Sequence, residues 1–200
     1  MNMTKTFFYL LVIGYSLCSK AQDVDVRILQ QIHTPHVTEA DDALHLLTNS
    51  TTLVSAGIPV GLLTIGWIRN DSVAIRSAMV VVATYVVSSA VTLSMKYAWN
   101  RPRPFEAYPQ YFVKKASAGS PSFPSEHTSL VFAAATSLSL QYPRWYIIVP
   151  SYLWAGGVAY SRMHLGVHYP SDVLVGALIG SASAYLSYKA NRWLHKKYGY

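Results

Sequence analysis

Cysteine is all but missing from this chain. Cys18 is the single one in 200 residues, so no intrachain disulfide framework can hold the fold. Charge is scarce too: Asp, Glu, Lys and Arg make up 12% of the sequence, about half the share of a soluble domain. No internal repeat is visible, which leaves solenoids and repeat arrays aside. The scarcity of charge is concentrated in five stretches that hold none at all: Ala43–Ile68, Ser77–Met95, Thr128–Pro143, Trp145–Ser161 and Val173–Tyr188. Their lengths are 26, 19, 16, 17 and 16 residues, against the roughly 20 that a membrane-crossing helix needs. The last three are short and studded with Ser, Thr and Gly, a composition that suits helix packing more than lipid contact.

Acids are the scarcer sign, 9 against 16 Lys and Arg, for a net charge of +7. A nucleic-acid partner would want those cations spread over one face. They gather instead around residues 96–103 and in the tail Lys189, Arg192, Lys196 and Lys197, and a basic tail of that kind sits against anionic lipid headgroups. At the start, one lysine, a twelve-residue apolar run and small residues ending at Ala21 read as a secretory signal peptide over residues 1–21, the alternative being an uncleaved first helix. Residues 22–200 then form one domain, opening on a polar, amphipathic segment with five acids between Gln22 and Asp42.

If the N-terminus is exported and each charge-free run crosses once, Arg69, Arg76, Arg144 and the tail fall inside. The loops 96–126 and 162–172 fall outside, together, which satisfies the positive-inside rule. Trp67, Trp99, Trp145, Tyr146 and Trp193 lie near the span ends, where aromatic rings favour the headgroup zone. The expected fold is therefore all-α: a membrane bundle of about five to six helices with its functional site at the exported face. A soluble bundle of very apolar helices is the alternative.

The chemistry lies in those two outer loops. Lys96-Tyr97-Ala98-Trp99-Asn100-Arg101-Pro102-Arg103-Pro104 is dense in cations, with Lys96 and Arg103 seven apart. Pro124-Ser125-Glu126-His127 opens a helical run, so its amides and the positive end of the helix dipole can face an anion. His127 is placed there to protonate a leaving oxygen. In the third stretch Arg162 ends an apolar run, and His168 precedes Pro170 and Asp172. Pro170 suits the first turn of a helix. Asp172 in that turn can accept the Nδ1 proton of His168 and leave Nε2 free to attack. Each element has a plainer explanation alone: Lys96 as a snorkelling lysine, Ser125 as a cap, the His168–Asp172 spacing as chance. Together, three cations, two imidazoles and a carboxylate suit transfer of a phosphoryl group, where neutralising the oxygens is the dominant catalytic term. His164 and His168 are also four apart, but no Glu stands between them and Pro170 breaks a shared helical face, so a metal pair is disfavoured and His164 reads as a packing or supporting residue.

Lys96 with Arg103-Pro104, then Pro124-Ser125-Glu126-His127, then Ser161-Arg162 with His168 and Asp172, resemble in order and spacing the three motifs of the type 2 phosphatidic acid phosphatase family. The resemblance covers Lys96 to Asp172. It implies that Lys96, Arg103, Arg162 and Ser125 bind phosphate and that His168, oriented by Asp172, becomes a phosphohistidine. It makes His127 acid for the leaving group and then base for water, with no metal or other cofactor, in a bundle of about six helices. Glu126 departs from the pattern, which has Gly there. A carboxylate beside phosphate must turn away or be balanced by Arg101 or Lys115, and Glu126 and Arg101 are thus candidates for substrate selection. The implied partner is a lipid phosphate among membrane lipids, at the periplasmic face of a bacterial inner membrane. Lipid A is the first choice, with undecaprenyl pyrophosphate and phosphatidylglycerol phosphate as alternatives. A soluble periplasmic acid phosphatase and a lipid-phosphate-binding membrane protein without turnover are the other readings; the oligomeric state is left open.

Overall fold

The computed structural model describes residues 22–199; the expected signal peptide and Cys18 lie outside that range. Every regular element in it is helical: α1 over residues 22–32, α2 Glu39–Arg69, α3 Ser72–Trp99, the short α4 Pro104–Ala107, α5 Glu126–Gln141, α6 Trp145–His164 and α7 Pro170–Tyr198. Local chemistry sets the boundaries. Asp41 accepts hydrogen bonds from the Thr38 amide and hydroxyl at the start of α2, at 3.3 and 2.9 Å, satisfying a donor the helix itself cannot. Asp71 does the same for α3 by accepting from the amides of Val73 and Ala74. Asn70 and Asn100 end α2 and α3 in the left-handed conformation that Asn tolerates.

Three stretches are long and apolar enough to cross a membrane: Glu39–Arg69, Ser72–Ala107 and Pro170–Tyr198. Two of the five charge-free runs, those in α5 and α6, fall outside that set. At 16 residues, α5 is only about 24 Å long, short of a hydrocarbon core of about 30 Å. It needs no lipid face, because it is the centre of the bundle and packs on α7, α6, α3 and α2.

The bundle is apolar outside and small or polar inside. Val82, Val86 and Leu93 of α3 and Leu174, Leu178 and Leu186 of α7 are exposed, whereas Thr84, Ser88, Thr92 and Lys96 of α3 are buried. Their spacing of four keeps them on one helix face, so the stripe that packs against α5 delivers the Lys96 ammonium to the inner side of the bundle end. Ser129 of α5 meets that stripe, 2.5 Å from Ser88 Oγ and accepting from Thr92 Oγ1 at 3.2 Å. Between α5 and α7 the backbones themselves touch. A Cβ at Gly176 would collide with the Ser125 carbonyl, and one at Gly180 with the Ser129 carbonyl and the Ala133 amide. Small residues at such a seam let membrane helices approach closely without a hydrophobic driving force.

The alternating chain direction puts the end of α3, the starts of α5 and α7 and the end of α6 at one end of the bundle. Across that end lies α1, whose Leu29 is buried with Phe112 and Tyr169 and packs near Val26, Phe105 and Met163. A second tie is polar. Asp41 pairs with Lys115 Nζ at 2.7 Å and with His164 Nε2 at 2.9 Å, and His164 Nδ1 reaches the Ile32 carbonyl. His33 Nδ1 donates to the His164 carbonyl while its Nε2 accepts from the Val113 amide. His164 thus supports the loops and lies in no metal cluster; among the described residues no three His, Cys, Asp or Glu side chains gather as one.

Candidate active site

The site is built from the three outer stretches. Asn100, by terminating α3, leaves Lys96 in its last turn, where Nζ donates to the Pro121 carbonyl at 2.6 Å. Arg103 follows just before α4. Its amide is held by Glu106 Oε2 at 2.8 Å, its Nε donates to the Ser120 carbonyl at 2.8 Å and its Nη1 to the Val167 carbonyl at 2.7 Å. The long loop 108–125 is thereby tied down by these cations as well as by the buried Phe112. Arg162, near the end of α6, donates from Nη1 to Thr48 Oγ1 at 2.9 Å, while its buried Nε has no partner.

Lys96, Arg103 and Arg162 are 1%, 4% and 3% exposed, and none forms an ion pair with a carboxylate among the described residues. Burying a charge without a counter-charge is costly. Three such charges lie at one end of the bundle, one of them with an unused N–H, and such an arrangement could accommodate an anion with several oxygens.

His168 stands among them. Arg103 Nη1 lies 3.2 Å from His168 Nε2, and Asp172 Oδ2 lies 3.5 Å from Nδ1. That second distance exceeds a hydrogen bond, and Nδ1 is buried without a partner; the expected Asp172–Nδ1 bond is thus faced but not closed. Asp172 is held elsewhere, with Oδ2 accepting from Ser122 Oγ at 2.5 Å and the Tyr169 amide at 2.9 Å, and Oδ1 from Arg101 Nη1 at 2.6 Å. Ser125 is fully buried at the start of α5; its amide donates to the Asp172 carbonyl at 3.0 Å and its Oγ accepts from Thr128 Oγ1. His127 occupies the first turn of α5.

The imidazoles share one field. Burial first, and then the cations, push both downward from the ordinary histidine value. His127 falls to about 4 under Arg162, Arg103 and Lys96. His168 falls to about 3, with Arg103 and Arg162 again contributing while Asp172 opposes them. Both rings are therefore neutral at pH 7 in the anion-free site. A bound dianion would offset the cations and raise both toward the range useful for proton transfer.

Two expectations fail at Arg101 and Lys115. Neither balances Glu126: Arg101 is committed to Asp172, to Asp25 at 2.8 Å and to the Tyr169 ring, 3.9 Å from its centroid, and Lys115 is committed to Asp41 and the His36 carbonyl. Asp25, Ser122 and Ser171 were not legible as site neighbours. Asp25 is 76 residues from Arg101 and 146 from Ser171, and no local spacing connects them.

Buried, carboxylate-free cations beside two imidazoles stand at one end of an all-α bundle with three helices long and apolar enough to cross a membrane, which places the chain in the class of helical membrane proteins. Residues 77–196 match the PAP2 superfamily, and the chain belongs to it. It is 32% identical over 130 residues to an undecaprenyl-diphosphatase of Sulfolobus acidocaldarius, covering 65% of this chain and 61% of that one. It is 35% identical over 78 residues to a lipid A 4'-phosphatase of Bacteroides thetaiotaomicron, covering 39% and 35%. The chain thus spans less than two thirds of the length of these curated relatives. Among solved structures, Aquifex aeolicus LpxE superposes with a TM-score of 0.66 at 26% identity over 82% of this chain and 93% of its own. A transmembrane phosphatidylglycerolphosphate phosphatase from Bacillus subtilis gives 0.70 at 18% identity over 96% of each chain, a likeness of fold.

Proposed function

We propose that the protein is a metal-independent phosphatase that removes phosphate from an envelope lipid, with lipid A as the preferred substrate. The observation that carries this reading is the set of three buried cations without carboxylates around His168 and His127. His168 Nε2 attacks phosphorus as the bond to the lipid oxygen breaks, and His127, protonated once the dianion has entered, gives its proton to that oxygen. Water then attacks the phosphohistidine, His127 takes its proton, and the P–N bond breaks to release inorganic phosphate. Lys96, Arg103, Arg162 and the amides beside Ser125 hold the phosphoryl oxygens throughout.

Sidedness follows from charge. Arg69, Arg144, Lys189, Arg192, Lys196 and Lys197 lie at the end of the bundle opposite the site, so the positive-inside rule turns the site outward, to the periplasmic face of an inner membrane. Lipid A is favoured by the lipid A 4'-phosphatase among the relatives and by a cavity of about 420 Å³ lined by Gln22, Trp99, Asn100, Arg101 and Phe123. An indole and two amides suit a sugar. Glu126, in the first turn of α5, is proposed to face the leaving alcohol. The undecaprenyl-diphosphatase likeness supports undecaprenyl pyrophosphate as the second reading.

The test is release of inorganic phosphate from lipid A, undecaprenyl pyrophosphate and phosphatidylglycerol phosphate in detergent containing a chelator. Cleavage of at least one, lost in H168A, is expected; activity that needs an added divalent metal would overturn the mechanism. Mass spectrometry of envelope lipids from cells with and without the active protein identifies the substrate.

A further inference from the structure

Asp25 belongs to none of the three motifs, yet it is buried and both of its oxygens are engaged at the start of α7. Oδ1 accepts from the Ser171 amide at 2.9 Å. Oδ2 accepts from the Ser171 hydroxyl and from Arg101 Nη2, the latter at 2.8 Å. Arg101 extends the path, donating from Nη1 to Ser171 Oγ at 2.8 Å and to Asp172 Oδ1 at 2.6 Å. Its plane is fixed by Tyr169 below it. The path is therefore continuous from α1 to the carboxylate that faces His168.

We propose that Asp25 is a positioning residue for the histidine nucleophile, acting through Arg101 and Asp172; this rests on the roles given to His168 and Asp172 under the proposed function. Two physical effects support it. Arg101 fixes Oδ1 and so decides the rotation of the Asp172 carboxyl, and with it whether Oδ2 closes the 3.5 Å gap to Nδ1. Asp25 in turn fixes Arg101, because a fork with one tine on each carboxylate cannot swing toward either.

The second effect is charge. A guanidinium facing Asp172 alone would neutralise it, and the pair would offer little to an imidazolium forming at His168. With Asp25 present, one cation serves two carboxylates, and the group of three keeps one net negative charge. The other charged groups around His168 are Arg103 and Arg162, both cationic, with Lys96 beyond them near His127. Of the other nearby acids, Glu106 holds the Arg103 amide and Glu126 acts on Lys96, whereas Asp25 is the one that shares Arg101 with Asp172. Support from partners one residue removed is a general device, and at metal sites its loss costs on the order of ten- to a hundredfold in affinity or activity.

The experiment compares D25N, L29A and H168A with the unaltered full chain in detergent, using the lipid of the panel above that it cleaves fastest. D25N is expected to lower kcat about tenfold, to leave KM within about twofold, and to move the acid limb of the kcat/KM profile to lower pH. The limb moves that way because lost negative charge makes His168 harder to protonate. L29A removes the apolar anchor of the same helix without touching charge, so its limb should stay in place whatever happens to its melting temperature. Unaltered kcat in D25N, or a lower kcat with an unmoved limb, would overturn the proposal, since the second is what a purely structural anchor gives. If D25N does not accumulate folded, D25E replaces it. The expected result is then a severalfold lower kcat with the limb unmoved, and unaltered kcat or a displaced limb counts against the idea. H168A that still turns over would instead overturn the nucleophile assignment itself, so the two failures are distinguishable.

Discussion

Arg103 Nη1 approaches His168 Nε2 at 3.2 Å while the same nitrogen donates to the Val167 carbonyl. A guanidinium can only donate, so Nε2 is the acceptor and the ring proton resides on Nδ1, facing Asp172. The tautomer needed for attack by Nε2 is thus already set before any phosphate enters. Under the proposed function, phosphate oxygens would compete for the same N–H and release Nε2 as the ligand arrives.

R103K should cost far more than the loss of one charge, because no single ammonium can hold the Ser120 and Val167 carbonyls and Nε2 together. A kcat fall of about a hundredfold is expected, the scale of losing one oriented donor at an oxyanion. R162Q, which leaves the loop contacts alone, should act mainly on anion affinity. Vanadate inhibition should weaken by roughly tenfold or more, in line with a lost charge-assisted hydrogen bond. Steady-state kinetics and vanadate titrations check both.

Stability should fall on acidification. His127 and His168 titrate near 4 and 3 in the folded protein and near 6.5 once unfolded. Between those values the unfolded chain binds more protons, so stability rises with pH up to about 6.5 and is lost progressively below it. Thermal unfolding in detergent should show a melting temperature that drops from pH 7 to pH 4.5. The slope should flatten in H127N, and added phosphate should oppose the drop by raising both folded-state values.

Gly180→Ala should destabilise the bundle by about 2 kcal/mol or more, the scale of an overpacked contact, because its new methyl meets backbone atoms of α5 that cannot rotate away. Gly57→Ala, with nothing within 4 Å of the added carbon, is the matched control and should be neutral within about 0.5 kcal/mol or mildly stabilising. Melting temperatures of the two variants decide it.

Glu126→Gly should change the ranking of lipid phosphates rather than abolish turnover. The expected result is a shift of at least about threefold in relative kcat/KM between two substrates, under 1 kcal/mol and typical of one altered pocket contact. Unchanged ratios across the panel would remove Glu126 from substrate selection.

The residues that gather at the outer end of the bundle were readable because each lies at a helix end marked in the sequence. Lys96 closes a charge-free run, Ser125 and His127 open one, and Pro170 announces the start of α7. The central place of α5 was not readable, because a short helix of small residues looks alike whether it meets lipid or other helices, and α5 meets helices. The partners of Arg101 and Lys115 were equally hidden. Which of several carboxylates a surface-like arginine meets depends on where α1 lies, and the acids of residues 22–42 gave no hint that Asp25 would be buried and Asp23 exposed.

The joint between α5 and α7 has an evolutionary corollary. Ser125 N to the Asp172 carbonyl, and the bare Gly176 against Ser125, lock two helix starts together without using any atom of the stretch from Tyr108 to Ser120. Changes in the exposed parts of that connection, away from Phe112, Val113, Lys115 and Ser120, can therefore be absorbed while the two helix starts stay in register.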